Sequence, residues 1–345
     1  MQSTRFFTIL LALVMALSAL VGINYSSQAQ AGGLSVSIAA KPAYNAAQDV
    51  SVTLTFSNTS GRAVRVLKWF TPTEDFEESM FAVSLGGKAA AYLGPVYKRP
   101  AVTGADYLTL TPGETRSWTI NLSSYYDFAA SGIYTLRYDV AAAQLHDEKS
   151  AAERLTSNTV QVYVEGRTSV SPEPLAGSTT YNKCTTAQQG DLVSARSQAS
   201  TYSADALSYL NSKKTGLRYT TWFGVYDANR YSTVTTHFSK ISSAMDTAAV
   251  TFDCGCKKKY YAYVYPTKPY IIYLCSVFWT APLTGTDSKA GTLIHEMSHF
   301  NTVASTNDYV YGQEGAKSLA ISNPNNAINN ADNHEYFAEN TPAQQ

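Results

Sequence analysis

The sequence predicts two domains of different class, an all-β sandwich followed by an α+β domain. Three observations carry that reading. The hydrophobic pattern changes from period two to roughly helical spacing, a Pro-, Ser- and Gly-rich segment separates the two patterns, and all four cysteines lie beyond it. At 345 residues, 45% of them hydrophobic, the chain is long enough for each domain to bury its own core. Lys plus Arg number 26 and Asp plus Glu also 26, so no charge excess argues for nucleic acid or an acidic membrane surface. Charged residues reach only 15%, and Ser, Thr, Asn and 25 Tyr supply the polar surface instead.

The first element is an address. Arg5 precedes an apolar run from Phe6 to Ile23, and Ala29-Gln30-Ala31 fits the small-x-small pattern at which signal peptides are cut. A signal peptide over residues 1–31 is expected. The run also reaches the length of a spanning helix, which makes a retained anchor the alternative. No Cys precedes Cys184, so acylation at the junction is excluded. The expectation is a secreted, extracellular protein with no stable membrane association after cleavage.

Residues 32–165 form the sandwich. Val52, Leu54 and Phe56 alternate with Ser51, Thr53 and Thr55, and Tyr134, Leu136, Tyr138 and Val140 alternate with Thr135, Arg137 and Asp139. Turn signals at Asn58-Thr59-Ser60-Gly61, Gly86-Gly87 and Thr111-Pro112-Gly113-Glu114 separate the strands. Ser131-Gly132-Ile133-Tyr134 resembles the approach to a late strand of immunoglobulin-like domains. Residues 166–179 (GRTSVSPEPLAGST) lose all apolar periodicity and read as a linker open to proteolysis.

Residues 180–345 form the second domain. Leu192, Ala195, Ala199, Tyr202, Ala206 and Tyr209 keep helical spacing, as do Val234, Phe238, Ile241 and Met245. Ala262-Tyr263-Val264-Tyr265 and Tyr270-Ile271-Ile272-Tyr273-Leu274 read as strands. In an oxidising compartment the four cysteines pair. Cys254 and Cys256 are too close in sequence to bridge without strain. That leaves Cys184–Cys254 with Cys256–Cys275, or Cys184–Cys256 with Cys254–Cys275; the first pairing is carried forward as the expectation. A four-Cys zinc site lacks the paired C-x-x-C spacing.

The chemistry concentrates in Gly291-Thr292-Leu293-Ile294-His295-Glu296-Met297-Ser298-His299-Phe300. Histidines at i and i+4 project from one helix face, so both imidazoles reach one ion, while Glu296 is turned to reach a water. A catalytic zinc site needs a third protein ligand and an open position. The downstream acids are Asp308, Glu314, Asp332, Glu335 and Glu339. Asp308, nine residues beyond His299, leaves room for the helix to end and the chain to return; Glu314 or Glu335 could serve instead.

The helix motif plus Ser305-Thr306-Asn307-Asp308-Tyr309-Val310-Tyr311-Gly312 resembles the aspzincin, or deuterolysin-type, metallopeptidases, and within them the peptidyl-Lys metalloendopeptidases. The resemblance runs from Thr180-Tyr181-Asn182-Lys183-Cys184 through Tyr219-Thr220-Thr221-Trp222-Phe223-Gly224, Phe278-Trp279 and Gly285-Thr286-Asp287-Ser288 to Asn330-Ala331-Asp332-Asn333-His334-Glu335-Tyr336-Phe337. It implies a zincin-like fold, one catalytic Zn2+ on His295, His299 and Asp308, Glu296 as general base, and Tyr311 as the phenol that steadies the developing oxyanion. It also implies that Asp332 and Glu335 make the S1′ pocket negative, so that cleavage falls on the N-terminal side of lysine. Their spacing alone fits a helix capping box equally well. Ser305 stands where the family motif has Gly, and a positive-φ turn there would be strained by Ser.

The resemblance further implies that the sandwich is a pro-domain, acting on its own chain as an inhibitor or a folding aid. Its lack of Cys excludes a Cys-to-zinc latch; His146, or Asp147 and Glu148 beside it, could meet the metal, but steric covering of the cleft is the simpler expectation, and a retained binding module is the alternative role. A lysine-directed enzyme could trim itself between Asn182 and Lys183. His237 reads as a packing or surface residue, His334 as a neighbour of the pocket acids, and Lys257-Lys258-Lys259 as a solvated loop. The expected partners are proteins and peptides with accessible lysine, and not nucleic acid. A broader-specificity metallopeptidase and a non-catalytic exported zinc protein are the rival readings.

Overall fold

In the first half of the chain the period-two runs become strands. β1 (Leu34–Ala40), β3 (Ser51–Asn58) and β9 (Thr115–Asn121) form an antiparallel sheet in the order β1-β3-β9. A second sheet contains β2 (Ala43–Tyr44), β5 (Phe81–Leu85), β6 (Lys88–Ala89), β10 (Gly132–Ala141) and β12 (Val160–Val164) in the order β2-β12-β10-β5-β6. β11 (Arg154–Thr156) pairs with β10, and β4 (Val64–Leu67) with β8 (Tyr107–Leu110). The alternating residues Val52, Leu54, Phe56, Tyr134, Leu136, Tyr138 and Val140 are all buried. Phe56 of one sheet meets Tyr138 of the other edge-on, with centroids 5.4 Å apart. The sandwich core therefore forms from the inward residue of every pair, as period-two patterning requires.

This computed structural model describes residues 33–73, 76–141, 154–166 and 179–345. The expected signal peptide, most of the expected linker, and His146, Asp147 and Glu148 lie outside the described residues. The chain divides into two units, Met1–Tyr92 with Ala105–Ser169, and Leu93–Gly104 with Val170–Gln345. The second unit thus takes in a segment that sequence order places in the middle of the first.

That segment carries β7 (Val96–Lys98). It pairs antiparallel with β15 (Ala262–Val264), at the end of a sheet ordered β13-β14-β16-β15-β7, with β13 (Thr180–Asn182), β14 (Thr251–Asp253) and β16 (Ile271–Leu274). These short strands are stapled at their ends. Cys184, just past β13, bonds Cys254, just past β14, and Cys256 bonds Cys275, just past β16.

Helices fill the rest of the second unit. α1 (Thr186–Asn211) opens on a capping box between Thr185 and Gln188, and α3 (Ala228–Thr247) on the Asp227 carboxylate. Between them lies α2 (Leu217–Phe223). Leu192, Ala195, Ala199 and Ala206 of α1 and Val234, Phe238 and Ile241 of α3 are buried, so the helical spacing marks the core face. α4 (Lys289–His299) is buried along nearly its whole length; α5 (Gly312–Ser322) and α6 (Pro324–Ala327) follow, and α7 (Ala331–Glu339) is buried throughout. α4 and α7 pack so closely at Gly291 that a Cβ there would overlap the Glu339 carboxylate and stand 3.0 Å from Glu335 Cγ. No helix among the described residues is long and apolar enough to cross a membrane.

Candidate functional site

Helix α4 begins at Ser288, whose hydroxyl accepts from the Gly291 amide at 2.9 Å and donates to Glu339 at 2.7 Å. From that fixed start, His295 and His299 fall one turn apart on one face, with ring centroids 4.8 Å apart. After the helix ends, the chain returns so that Asp308 Oδ1 stands 3.3 Å from His295 Nε2 and 3.5 Å from His299 Nε2. One donor atom from each of the three lies within 4.8 Å of the others, and all three residues are buried.

Each donor is held from behind. The His299 Nδ1–H donates to the Thr306 carbonyl at 2.9 Å, which leaves Nε2 as the lone-pair nitrogen. His295 Nδ1 lies 2.8 Å from Asp332 Oδ1. The loop with Asp308 is clamped to the start of α7: Asn307 N donates to Asn329 O, Ala331 N to Asn307 O, and Asn330 Oδ1 accepts from the amides of Tyr309 and Val310. Ser305, in this loop, has φ +52°, the left-handed region in which the family motif carries Gly.

The electrostatics are those of a preformed cation site. Burial raises the Asp308 pKa, but the neighbouring His299 and His295 outweigh it and hold the carboxylate well below its usual range. Burial pushes Glu296 up to about 7. Among the described residues both Glu296 oxygens and His299 Nε2 are buried without a hydrogen-bond partner, an arrangement that is unfavourable unless a cation and its water complete the set. Two imidazoles and one carboxylate, each supported from behind, fit zinc.

Beside the metal cluster lies an acid pocket. Asp332 and Glu335 sit in α7 but do not form a capping box: the cap position is Asn330, with no side-chain cap bond. Asp332 Oδ2 instead accepts from the Gly312 amide at 2.6 Å. The pocket has a third acid, Asp287, which accepts from the Tyr336 hydroxyl at 2.7 Å. Sequence reasoning gave Asp287 no role, although its segment carried part of the family resemblance. Within the pocket stands a cation from β7: Lys98 Nζ lies 2.5 Å from Glu335 Oε2, 3.4 Å from Asp287 Oδ1 and 3.7 Å from Asp332 Oδ1. The Lys98 side chain is 1% exposed.

Tyr311 closes the site. Its hydroxyl donates to the Tyr97 carbonyl at 3.0 Å, lies 3.3 Å from Asp308 Oδ2, and accepts from an Arg99 guanidinium nitrogen at 2.7 Å. The other histidines stand apart from the pocket acids. His334 Nε2 meets His237 Nδ1 at 3.1 Å, its Nδ1 meets the Asn330 carbonyl at 3.0 Å, and its ring packs against Phe223 and Phe238. Lys183 is exposed, between β13 and α1.

A buried helix offering two histidines and a carboxylate, with an aspartate brought beside them, could hold a metal ion as a metallo-endopeptidase requires, and known proteins agree. A family profile described as lysine-specific metallo-endopeptidase matches residues 208–339. The chain is 43% identical over 310 residues to an extracellular protease of Aeromonas hydrophila, covering 86% of this chain and 89% of that one. It is 36% identical over 335 residues to a peptidyl-Lys metalloendopeptidase of Grifola frondosa, covering 90% and 94%. A peptidyl-Lys metalloendopeptidase of Pleurotus ostreatus is 55% identical over 166 residues, covering 48% of this chain and 98% of that one. The chain belongs to the aspzincin family of metallo-endopeptidases.

Proposed function

We propose that this chain is a secreted zinc metalloendopeptidase that cuts peptide bonds on the N-terminal side of lysine. The observation that carries the lysine reading is the ammonium of Lys98 among Glu335, Asp287 and Asp332, at the flank of the metal cluster. A buried charge is tolerated only when it is paired, so this pocket is matched to a lysine side chain. A planar arginine fork is wider than an ammonium, and pocket shape is what discriminates against it. The names of the Grifola and Pleurotus relatives support the same specificity.

His295, His299 and Asp308 would hold the zinc, which when bound lowers the pKa of a water and polarises the scissile carbonyl. Glu296 takes the proton of the attacking water and returns it to the leaving amine, and burial, which raises its pKa, favours its holding the proton between the two transfers. The Tyr311 phenol donates to the carbonyl oxygen as negative charge develops there. Asp332, Glu335 and Asp287 fix the lysine that follows the scissile bond.

Secretion rests on the signal pattern before Ala31 and on the name of the Aeromonas relative. We read the sandwich as an immunoglobulin-like pro-domain, supported by Tyr134, whose hydroxyl donates back to Ala130 O at 2.9 Å as in a tyrosine corner. Its removal is supported by the Pleurotus relative, almost all of which aligns with 48% of this chain. The test is digestion of a denatured protein of known sequence, with and without a chelator, and identification of every new N-terminus. Peptides that begin with Lys and vanish on chelation are expected. Mixed N-termini would leave a broader metallopeptidase, and no cleavage by zinc-loaded processed protein would leave a non-catalytic zinc protein.

A further inference from the structure

We propose that the bond between Tyr97 and Lys98 occupies the scissile position of this chain's own active site and is the first bond the enzyme cuts, within the same molecule. The inference rests on the lysine-directed reading above and adds to it a named substrate and a modification site.

Four observations within the second unit converge on that bond. The strand Val96–Lys98 adds antiparallel to the edge of β15, Val96 opposite Val264 and Lys98 opposite Ala262, which is how an extended peptide docks on a sheet. The side chain after the bond, Lys98, fills the acid pocket. The carbonyl of the bond, Tyr97 O, receives the Tyr311 hydroxyl at 3.0 Å, and that hydroxyl lies 3.3 Å from Asp308 of the metal cluster. On the far side, the Arg99 guanidinium donates to Tyr311 and lies over the rings of Tyr97 and Tyr260, 5.1 and 5.2 Å from their centroids. Pocket, phenol and sheet edge thus act on one peptide unit, and together they place the Tyr97 carbonyl where a substrate carbonyl must lie. Lys183, the other candidate for self-trimming, is exposed and has no such contacts among the described residues.

The step is an ordinary hydrolysis. Water adds to the Tyr97 carbonyl carbon and Glu296 takes its proton. The C–N bond then breaks, the proton goes to the Lys98 nitrogen, and the products are a Tyr97 carboxylate and a Lys98 α-amino group. No other reactant is needed.

The test uses the full chain purified in chelator, with zinc added at time zero and new N-termini read by mass spectrometry. A denatured reporter protein is digested in a parallel tube. The expected result is a Lys98 N-terminus that precedes any other, at a rate unchanged over on the order of a hundred-fold dilution, as an intramolecular reaction requires. Glu296→Gln and Lys98→Met proteins stay uncut at this position. Reporter peptides beginning with Lys, without a Lys98 N-terminus in the enzyme, would overturn the proposal and spare the lysine reading. A cleavage rate that rises with enzyme concentration would overturn it too. A zinc-loaded enzyme that cuts neither itself nor the reporter would sink the lysine reading beneath it. A binding measurement independent of turnover uses zinc-loaded Glu296→Gln protein. Replacing Lys98 by Met there should tighten binding of a lysine peptide by about ten-fold or more, because the competing strand is weakened. Equal affinities would show that β7 does not hold the cleft, and would overturn the proposal.

Discussion

The metal cluster and the acid pocket share His295 but are built by different means. The first takes two of its three donors from one helix face, spaced by the helix itself, and the third from the loop that follows. The second takes its acids from α7 and from the turn before α4, and each is oriented by a distant partner: Gly312 for Asp332, Tyr336 for Asp287, Lys98 for Glu335. The metal cluster is therefore local chemistry with tertiary support, while the pocket is tertiary chemistry throughout. Asp332 joins them, with one oxygen on His295 and the other on Gly312. Under the proposed function, affinity for zinc and selectivity for lysine would be coupled through that residue.

The largest expected effects separate chemistry from metal binding. Glu296→Gln should lower kcat by about a thousand-fold while zinc content stays stoichiometric, whereas His299→Ala should lose both. Metal analysis beside a peptide assay decides, and loss of zinc in Glu296→Gln would place Glu296 among the ligands. Next comes the coupling residue. Asp332→Asn should weaken zinc by about ten-fold or more as well as lysine preference, because it supports His295. Asp287→Asn, whose side chain is 39% exposed, should reduce kcat/KM for lysine peptides by about ten-fold and leave zinc affinity alone. Equal behaviour of the two variants in a zinc competition titration would end the distinction between the clusters.

Stability against pH tests the pocket side, since α7 also carries His334. Burial lowers His237 to about 4 and His334 to about 3, against roughly 6.5 in the unfolded chain. The unfolded chain therefore binds more protons below pH 6.5, and stability is lost as pH falls from there towards 3. A loss of several kcal/mol between pH 7 and 4 is expected in uncleaved Glu296→Gln protein, since each histidine contributes on the order of 3 kcal/mol. Thermal melts should show a shallower slope when both histidines are replaced by Phe; an unchanged slope would assign the loss to the metal cluster. The smallest effect lies on the metal side. Ser305→Gly removes a left-handed Ser, and the gain should be about 0.5 kcal/mol after the added freedom of the unfolded glycine. A drop in melting temperature would mean that the Ser305 side chain stabilises the loop.

The same contrast explains what was legible in the sequence. His295, Glu296 and His299 announce themselves because their spacing is that of one helix, and Asp308 and Tyr311 follow from a contiguous motif. The sandwich is legible because alternation in a strand reports burial directly, as at Phe56 and Tyr138. Asp332 and Glu335 read equally well as a helix cap, since three-residue spacing at a helix start serves both purposes; only Asn330 at the cap position separates the two. Asp287 carried no spacing signal at all. Lys98 was illegible for a deeper reason: a three-residue strand shows that it is extended but not which sheet it joins. A boundary drawn along the chain at residue 165 could not express that Leu93–Gly104 belongs to the second unit.

The place of β7 at the end of its sheet also bears on solubility. Without it, Ala262–Val264 becomes the last strand, with its outward amides and carbonyls unpaired and the stacked rings of Tyr263 and Tyr273 alongside. An open, aromatic-lined margin of this kind invites pairing between molecules. A polypeptide begun at Thr180 would present that margin while still folding, at the stage when self-association is most damaging. On the pro-domain reading the upstream residues would serve as a temporary guard against aggregation, and supplying the 93–104 peptide during refolding should raise the yield of monomer.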